Sequence, residues 1–211
     1  MTLSRRVAAE GVATAFLLAA VVGSGIMGER LAGGNLGLAL LANSAATGAA
    51  LVALILALRA HMNPVVTLAA GCNGELAWSH VPALVGAQLA GAAVGVAAAN
   101  TMFELPAFVL SHHARHGAGQ LMSESIATFG LLLVVTRVRG PMEAALAVGG
   151  YITAAYWFTA STSFANPAVT LARALTDTFS GIQPADVGGF VAAQLAGAAA
   201  ATALSSWLGE K

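Results

Sequence analysis

The sequence predicts an all-α membrane protein: six transmembrane helices plus two re-entrant half-helices, set as an inverted repeat in a single domain spanning residues 1–211. Three observations lead there: the composition, the lengths of the apolar runs, and one seven-residue phrase that is spelled twice. Of the 211 residues, 58% are hydrophobic and 9% charged, and the mean hydropathy is +0.80. Soluble domains carry about a quarter charged residues. Here the charges gather between apolar runs that reach the ~18–20 residues needed to cross a bilayer.

Spans are expected at 7–27, 36–58, 81–103, 121–138, 143–161 and 186–208. The first follows Arg5 and Arg6 with no convincing cleavage site, so it reads as a span and not as a removable signal. Two further apolar pieces, 64–72 and 167–175, are too short to cross. Each opens on Asn-Pro, in "HMNPVVTLAAG" and "SFANPAVTLARAL". That pair starts a helix well, because the Asn side chain accepts orphan amide bonds and Pro has no amide to lose. One copy alone would read as a surface loop meeting a helix.

Two copies, Asn63–Ala69 and Asn166–Ala172, change that reading. Other pairs recur in the same order: Glu10 and Thr14 answer Glu124 and Thr128, and Gln88 answers Gln194. The chain is therefore read as two homologous halves, about 1–105 and 118–211, each with three spans. An odd number of spans makes the second half enter from the opposite side of the bilayer. Inverted repeats of this kind build sites at the midplane, where broken helices meet. Positive-inside counting places both termini in the cytoplasm of a cell whose inner (plasma) membrane holds the chain. Arg5, Arg6, Arg59, Arg137, Arg139 and Lys211 then lie inside, against Arg30, Arg115 and Arg173 outside.

Backbone that re-enters at membrane depth survives only when buried in protein or lining a water-filled cavity. Two half-helices starting there aim two positive ends, each worth about half a charge, at one point. The Asn63 and Asn166 amides would face a passing oxygen, an arrangement that favours neutral hydroxylic solutes and repels cations. The sequence holds no nucleophile–base constellation, so an enzyme is not expected, nor is a cofactor or a metal. No basic tract points to nucleic acid, and the single cysteine, Cys72, excludes an internal disulfide.

The two boxes, with the Glu-x-x-x-Thr of each half, resemble the aquaporin (major intrinsic protein) family over nearly the whole chain. The resemblance implies a pore through each subunit of a homotetramer in the lipid bilayer. It implies that Asn63, Pro64 and Val65, with Asn166, Pro167 and Ala168, form the pore boxes. His61 matches the histidine before the first box, and Glu10 and Glu124 match buried glutamates that brace the re-entrant loops. Departures are informative. Val169 stands where most relatives carry a filter arginine, Thr170 where glycerol-conducting members carry aspartate, and Val65 where alanine is usual. A gap-free alignment puts the other filter places at Asn43, Ala154 and Ser163, a filter with neither ring nor charge, hence wide and weakly selective. Arg173, one turn past Val169, could reach the outer vestibule but is expected to pair with Asp177 at i+4.

Lesser features have ordinary readings. His112, His113 and His116 are expected to sit in a solvated outer loop, Gly91 and Gly95 to allow close helix packing, and Trp78, Trp157 and Trp207 to serve packing or the interface. The leading function is a passive channel for small neutral solutes: glycerol, water, and arsenous acid or methylated arsenicals, since the filter without arginine resembles the bacterial branch associated with arsenic-resistance gene clusters. The alternatives are a water-selective aquaporin and an ion-coupled inverted-repeat transporter. The last is disfavoured because the span interiors offer only Glu10 and Glu124, expected near the cytoplasmic ends.

Overall fold

The computed structural model describes residues 1–209; Lys211, counted above on the cytoplasmic side, lies outside them. The described residues form eight α-helices and one short 3-10 turn, without a strand. In chain order they are α1 (Leu3–Leu31), α2 (Leu36–Leu58), α3 (Pro64–Cys72), α4 (Val81–Met102), α5 (Ala118–Arg137), α6 (Pro141–Phe158), α7 (Pro167–Arg173) and α8 (Pro184–Trp207). The turn, Trp78–His80, leads into α4. Both short helices begin at the proline of an Asn-Pro pair.

Five of the six long helices are long and apolar enough to cross a membrane by composition alone. The sixth, α6, has 18 residues and carries Glu143, Tyr151, Thr153 and Tyr156. It packs along α2 and α5, so part of its polar content faces protein rather than lipid.

The two halves pack alike. Helix α1 runs against α4 as α5 runs against α8, and α2 against α6 joins the halves. Small residues set the closest crossings. A Cβ on Gly91 would overlap the Gly11 carbonyl oxygen, one on Gly95 that of Ala15, and one on Gly197 that of Ser125. Backbones approach this closely in membranes because packing, not water exclusion, holds the helices together. Each half-helix touches the last span of both halves, α3 against α4 and α8, α7 against α8 and α4. The half-helices are thereby wedged in the middle of the bundle. Phe16, Leu41, Leu146 and Phe158 are exposed on its outside, as suits a lipid solvent.

Candidate functional site

Asn63 and Asn166 cap the two half-helices. Asn63 Oδ1 accepts from Val65 N–H at 3.1 Å, and Asn166 Oδ1 accepts from the amides of Ala168 and Val169 at 3.0 and 3.3 Å. Their amide nitrogens cross between the halves. Asn63 Nδ2 donates to the Ala165 carbonyl at 2.8 Å, and Asn166 Nδ2 donates to the Met62 carbonyl at 2.7 Å. An amide NH2 has two hydrogens, so each asparagine keeps one donor for the cavity it lines.

The carbonyls that receive these bonds belong to strained residues. Met62 and Ala165 are left-handed, with φ of 54° and 48°, a conformation that costs a residue with a Cβ about 1–2 kcal/mol. Buried carboxylates hold them there. Glu10 Oε1 accepts from His61 N–H at 2.7 Å and Oε2 from Met62 N–H at 2.8 Å. Glu124 accepts from Phe164 and Ala165 N–H, both at 2.9 Å. Gln88 donates to Glu10 and to Thr67 Oγ1 at 2.8 Å; Gln194 donates to Glu124 at 2.6 Å and to Thr170 Oγ1 at 2.8 Å. Each threonine hydroxyl in turn donates to the carbonyl of its box asparagine. The glutamine and threonine partners were missed as functional residues, although their recurrence in both halves was the available signal. His61 Nδ1 lies 3.0 Å from Thr67 Oγ1, tying its ring to the same network.

The two glutamates do not share a side. Glu10 is in the second turn of α1 and Glu124 in the second turn of α5, and α5 starts on the side where α4 ends. The expectation that both lie near cytoplasmic ends is corrected: an inverted repeat puts its equivalent residues at opposite depths.

A cavity of about 260 Å³ runs between the half-helix tips. One end is lined by Arg59, Pro141 and Ala144, the middle by Asn63 and Asn166, and the other end by Ser163, Val169 and Arg173. Leu17, Val21, Leu51, Leu131, Val148 and Ile152 form an aliphatic wall. Pro64, Val65, Pro167 and Ala168 are buried behind the asparagines, in the first turns of α3 and α7.

Four sequence expectations are corrected here. Asn43 does not line the cavity; its Nδ2 donates to the Val21 carbonyl at 2.7 Å and to Ser24 Oγ at 2.9 Å, fastening α2 to α1. Thr47, one turn further along, takes the lining place. Ala154 is exposed on the outside of α6, whereas Tyr156 lines the cavity and its hydroxyl lies 3.2 Å from Thr47 Oγ1. Two residues turn a helix by about 200°, so a two-residue slip in alignment swaps outside for inside. A filter without ring or charge is therefore wrong for this end of the cavity, which holds Tyr156, Phe164 and Arg173 beside Ser163 and Val169.

The fourth correction concerns Arg173. It does not pair with Asp177, which instead accepts from His112 N–H at 2.9 Å and meets His112 Nδ1 at 3.0 Å. Arg173 is 2% exposed, its Nε donates to the Ser180 carbonyl, and its guanidinium carbon stacks 3.4 Å from the Phe164 ring centroid. Arg115 sits at the same ring, 5.1 Å from its centroid, with Nε on the Gly181 carbonyl at 2.7 Å. The outer-loop histidines meet carboxylates distant in sequence, His112 with Asp177 and His116 with Asp186 at 3.7 Å. Among the described residues no group of three or more His, Cys, Asp or Glu could hold a metal.

An inverted-repeat bundle whose two capped half-helices meet tip to tip across a lined cavity is the architecture of a membrane channel. The chain belongs to the major intrinsic protein family, whose model matches residues 1–144. It is 51% identical to aquaglyceroporin AqpS of Rhizobium meliloti (strain 1021), over 98% of this chain and 91% of that protein. It is 36% identical to aquaporin NIP1-3 of Oryza sativa subsp. japonica, over 55% of this chain and 44% of that one. Its fold matches the X-ray structure of the aquaglyceroporin from Plasmodium falciparum with a TM-score of 0.73, covering 98% of this chain and 95% of that one at 18% identity.

Proposed function

We propose that the chain is a passive aquaglyceroporin-type channel that conducts glycerol and water, with arsenous acid and methylated arsenicals as further cargo. One observation carries this reading: the cavity joins a line of hydrogen-bonding groups to an aliphatic wall, and among the described residues its lining contains no carboxylate. A solute with hydroxyls on one edge and carbon on the other finds partners for both. A cation meets two half-helix positive ends and nothing to neutralise it. Val169 supports the entry of bulkier or methyl-bearing solutes, since it offers a short apolar surface where most relatives place a guanidinium.

On this reading Asn63 and Asn166 are the pore-centre donors, Glu10, Glu124 and His61 support the loops, and Ser163 and Val169 belong to the outer filter with Thr47 and Tyr156. The subunits assemble as a homotetramer with both termini in the cytoplasm. Swelling of proteoliposomes under gradients of water, glycerol, urea and arsenous acid tests the proposal. Flux that rises linearly with the glycerol gradient supports a channel. Saturation with counterflow would mean a carrier, and water flux without glycerol flux a water-selective pore.

A further inference from the structure

Arg115 lies in the loop between α4 and α5 and does not line the cavity, yet it grips the groups that hold Arg173, which does. Its Nε donates to the Gly181 carbonyl at 2.7 Å, and its terminal nitrogens reach the Ser161 and Phe179 carbonyls, both at 3.4 Å. Phe179 and Gly181 flank Ser180, whose carbonyl accepts from Arg173 Nε. The same Arg115 guanidinium faces the Phe164 ring, over which the Arg173 guanidinium lies. Both anchors of Arg173 therefore meet one side chain from a loop distant in sequence. That loop is itself fixed. Arg115 N–H donates to Asp186 Oδ2 at 2.6 Å, where the Gln183 side chain also donates at 2.8 Å, and Gln183 N–H donates to the His113 carbonyl at 2.8 Å. A Cβ on Gly181 would overlap Ser111 Oγ of the same loop, so the approach is as close as a glycine allows. Two guanidiniums beside one ring repel each other, so charge attraction does not hold this arrangement. The directional bonds of a planar five-donor fork do.

We propose that Arg115 is a positioning residue for this end of the pore: it holds the Ser180 carbonyl and the Phe164 ring so that the Arg173 guanidinium stays against the wall and out of the solute path. The inference rests on the reading of the cavity as a conduit. Among the described residues the Ser180 carbonyl is the hydrogen-bond acceptor of the Arg173 side chain, and that carbonyl keeps its place only while its two neighbours keep theirs. Once the 179–181 segment is loose, the guanidinium is free to turn toward the cavity that it already borders. It then sets a charged, hydrated plane across part of the passage. Glycerol needs more width than water and loses more. The passage of larger solutes is thereby governed by a loop side chain that does not meet them.

Arg115→Lys tests this, because it keeps the charge and removes the fork. Water and glycerol entry are read from the swelling of one proteoliposome preparation, beside a melting curve that establishes folded protein. The glycerol-to-water ratio is expected to fall at least ~3-fold, since a single ammonium cannot bond three carbonyls in one plane. A mere loss of stability lowers both fluxes together and leaves that ratio unmoved. In an Arg173→Gln background, adding Arg115→Lys should change the ratio no further, because the residue it acts through is gone. If wild-type vesicles pass no glycerol, the channel reading itself fails. If they pass it and the ratio in folded Arg115→Lys is unchanged or raised, or falls equally in both backgrounds, Arg115 does not position Arg173 and the proposal is wrong. Should Arg115→Lys or the Arg173→Gln background not be recovered folded, Asp186→Ala decides. It removes the acceptor of the Arg115 amide and should lower the ratio too; an unchanged ratio overturns the proposal.

Discussion

Val169 and Arg173 share one face of α7 and line the same end of the cavity. Val169 presents a short apolar side chain to it, while the Arg173 guanidinium lies over the Phe164 ring. Val169→Arg puts a second guanidinium and a bulky plane across that opening. Glycerol entry should fall by about tenfold or more, a barrier rise of ~1.4 kcal/mol, with water entry reduced much less. Stopped-flow swelling of folded protein measures both, and equal loss of the two would remove Val169 from the filter. The glutamates make a second residue-scale prediction. Glu10 and Glu124 each accept two backbone amides and a glutamine. In Glu10→Gln or Glu124→Gln, an NH2 faces one of those N–H donors, so each substitution should destabilise by roughly 1.5–3 kcal/mol, the worth of a hydrogen bond to a charged group. Thermal unfolding in detergent that matches wild type for both variants would show that the left-handed loops need no carboxylate.

At the scale of elements, the α1–α4 and α5–α8 crossings depend on bare backbone. Gly91→Ala and Gly197→Ala each drive a methyl into a carbonyl oxygen of the facing helix, and overpacking of this kind costs about 1–3 kcal/mol. Gly86 lies in the same helix as Gly91 with nothing within 4 Å of an added Cβ. Gly86→Ala should therefore be neutral or stabilising, by up to ~1 kcal/mol from helix propensity. If all three melt alike, close approach is not what those glycines serve. The outer loop shows a pH-dependent tie. The Asp177 carboxyl, outside the spans, is held below the ordinary carboxylate range, first by the His112 amide and then by the His112 side chain. A depressed carboxylate stabilises above its unfolded value and loses that contribution as pH falls through its folded one. Limited proteolysis of the 103–117 loop should therefore quicken only at pH below the ordinary carboxylate range, and Asp177→Asn should abolish that dependence. Acceleration already near neutrality would point to another group.

Across the whole molecule, the two repeats are pinned to each other at their asparagines, and each half supplies the carbonyl that the other half's amide needs. Asn63→Asp or Asn166→Asp removes a donor from this reciprocal pair and sets a carboxylate between two positive half-helix ends. Both variants should lose cation exclusion, with stability lowered by about 1 kcal/mol or more for the missing bond. Sodium and proton leak into vesicles, read beside a melting curve, checks the two effects together. Wild-type leak with full glycerol flux in both variants would take the asparagines out of the pore centre.

What the sequence determined by itself was whatever is local along the chain or written twice. Run lengths, the Asn-Pro starts and the recurring Glu, Thr and Gln fixed the count of spans, the half-helices and the halves, because capping chemistry and bilayer thickness act on short segments. Rotation and strain were left to the tertiary structure. Whether Ala154 or Tyr156 faces the cavity depends on how α6 is turned by its neighbours, since each residue of error turns a helix by about 100°, whereas Asn43 yields to Thr47, one turn along the same face, because α1 claims its amide through Val21 and Ser24. The left-handed Met62 and Ala165 carry no glycine or asparagine to announce them; carboxylates from α1 and α5 hold them. Arg173 had an adjacent carboxylate at i+4 and left it, because His112 from a distant loop claimed Asp177 while Phe164 and Ser180 offered the guanidinium a fixed place inside. Competition among partners far apart in the chain exists only once the chain is folded.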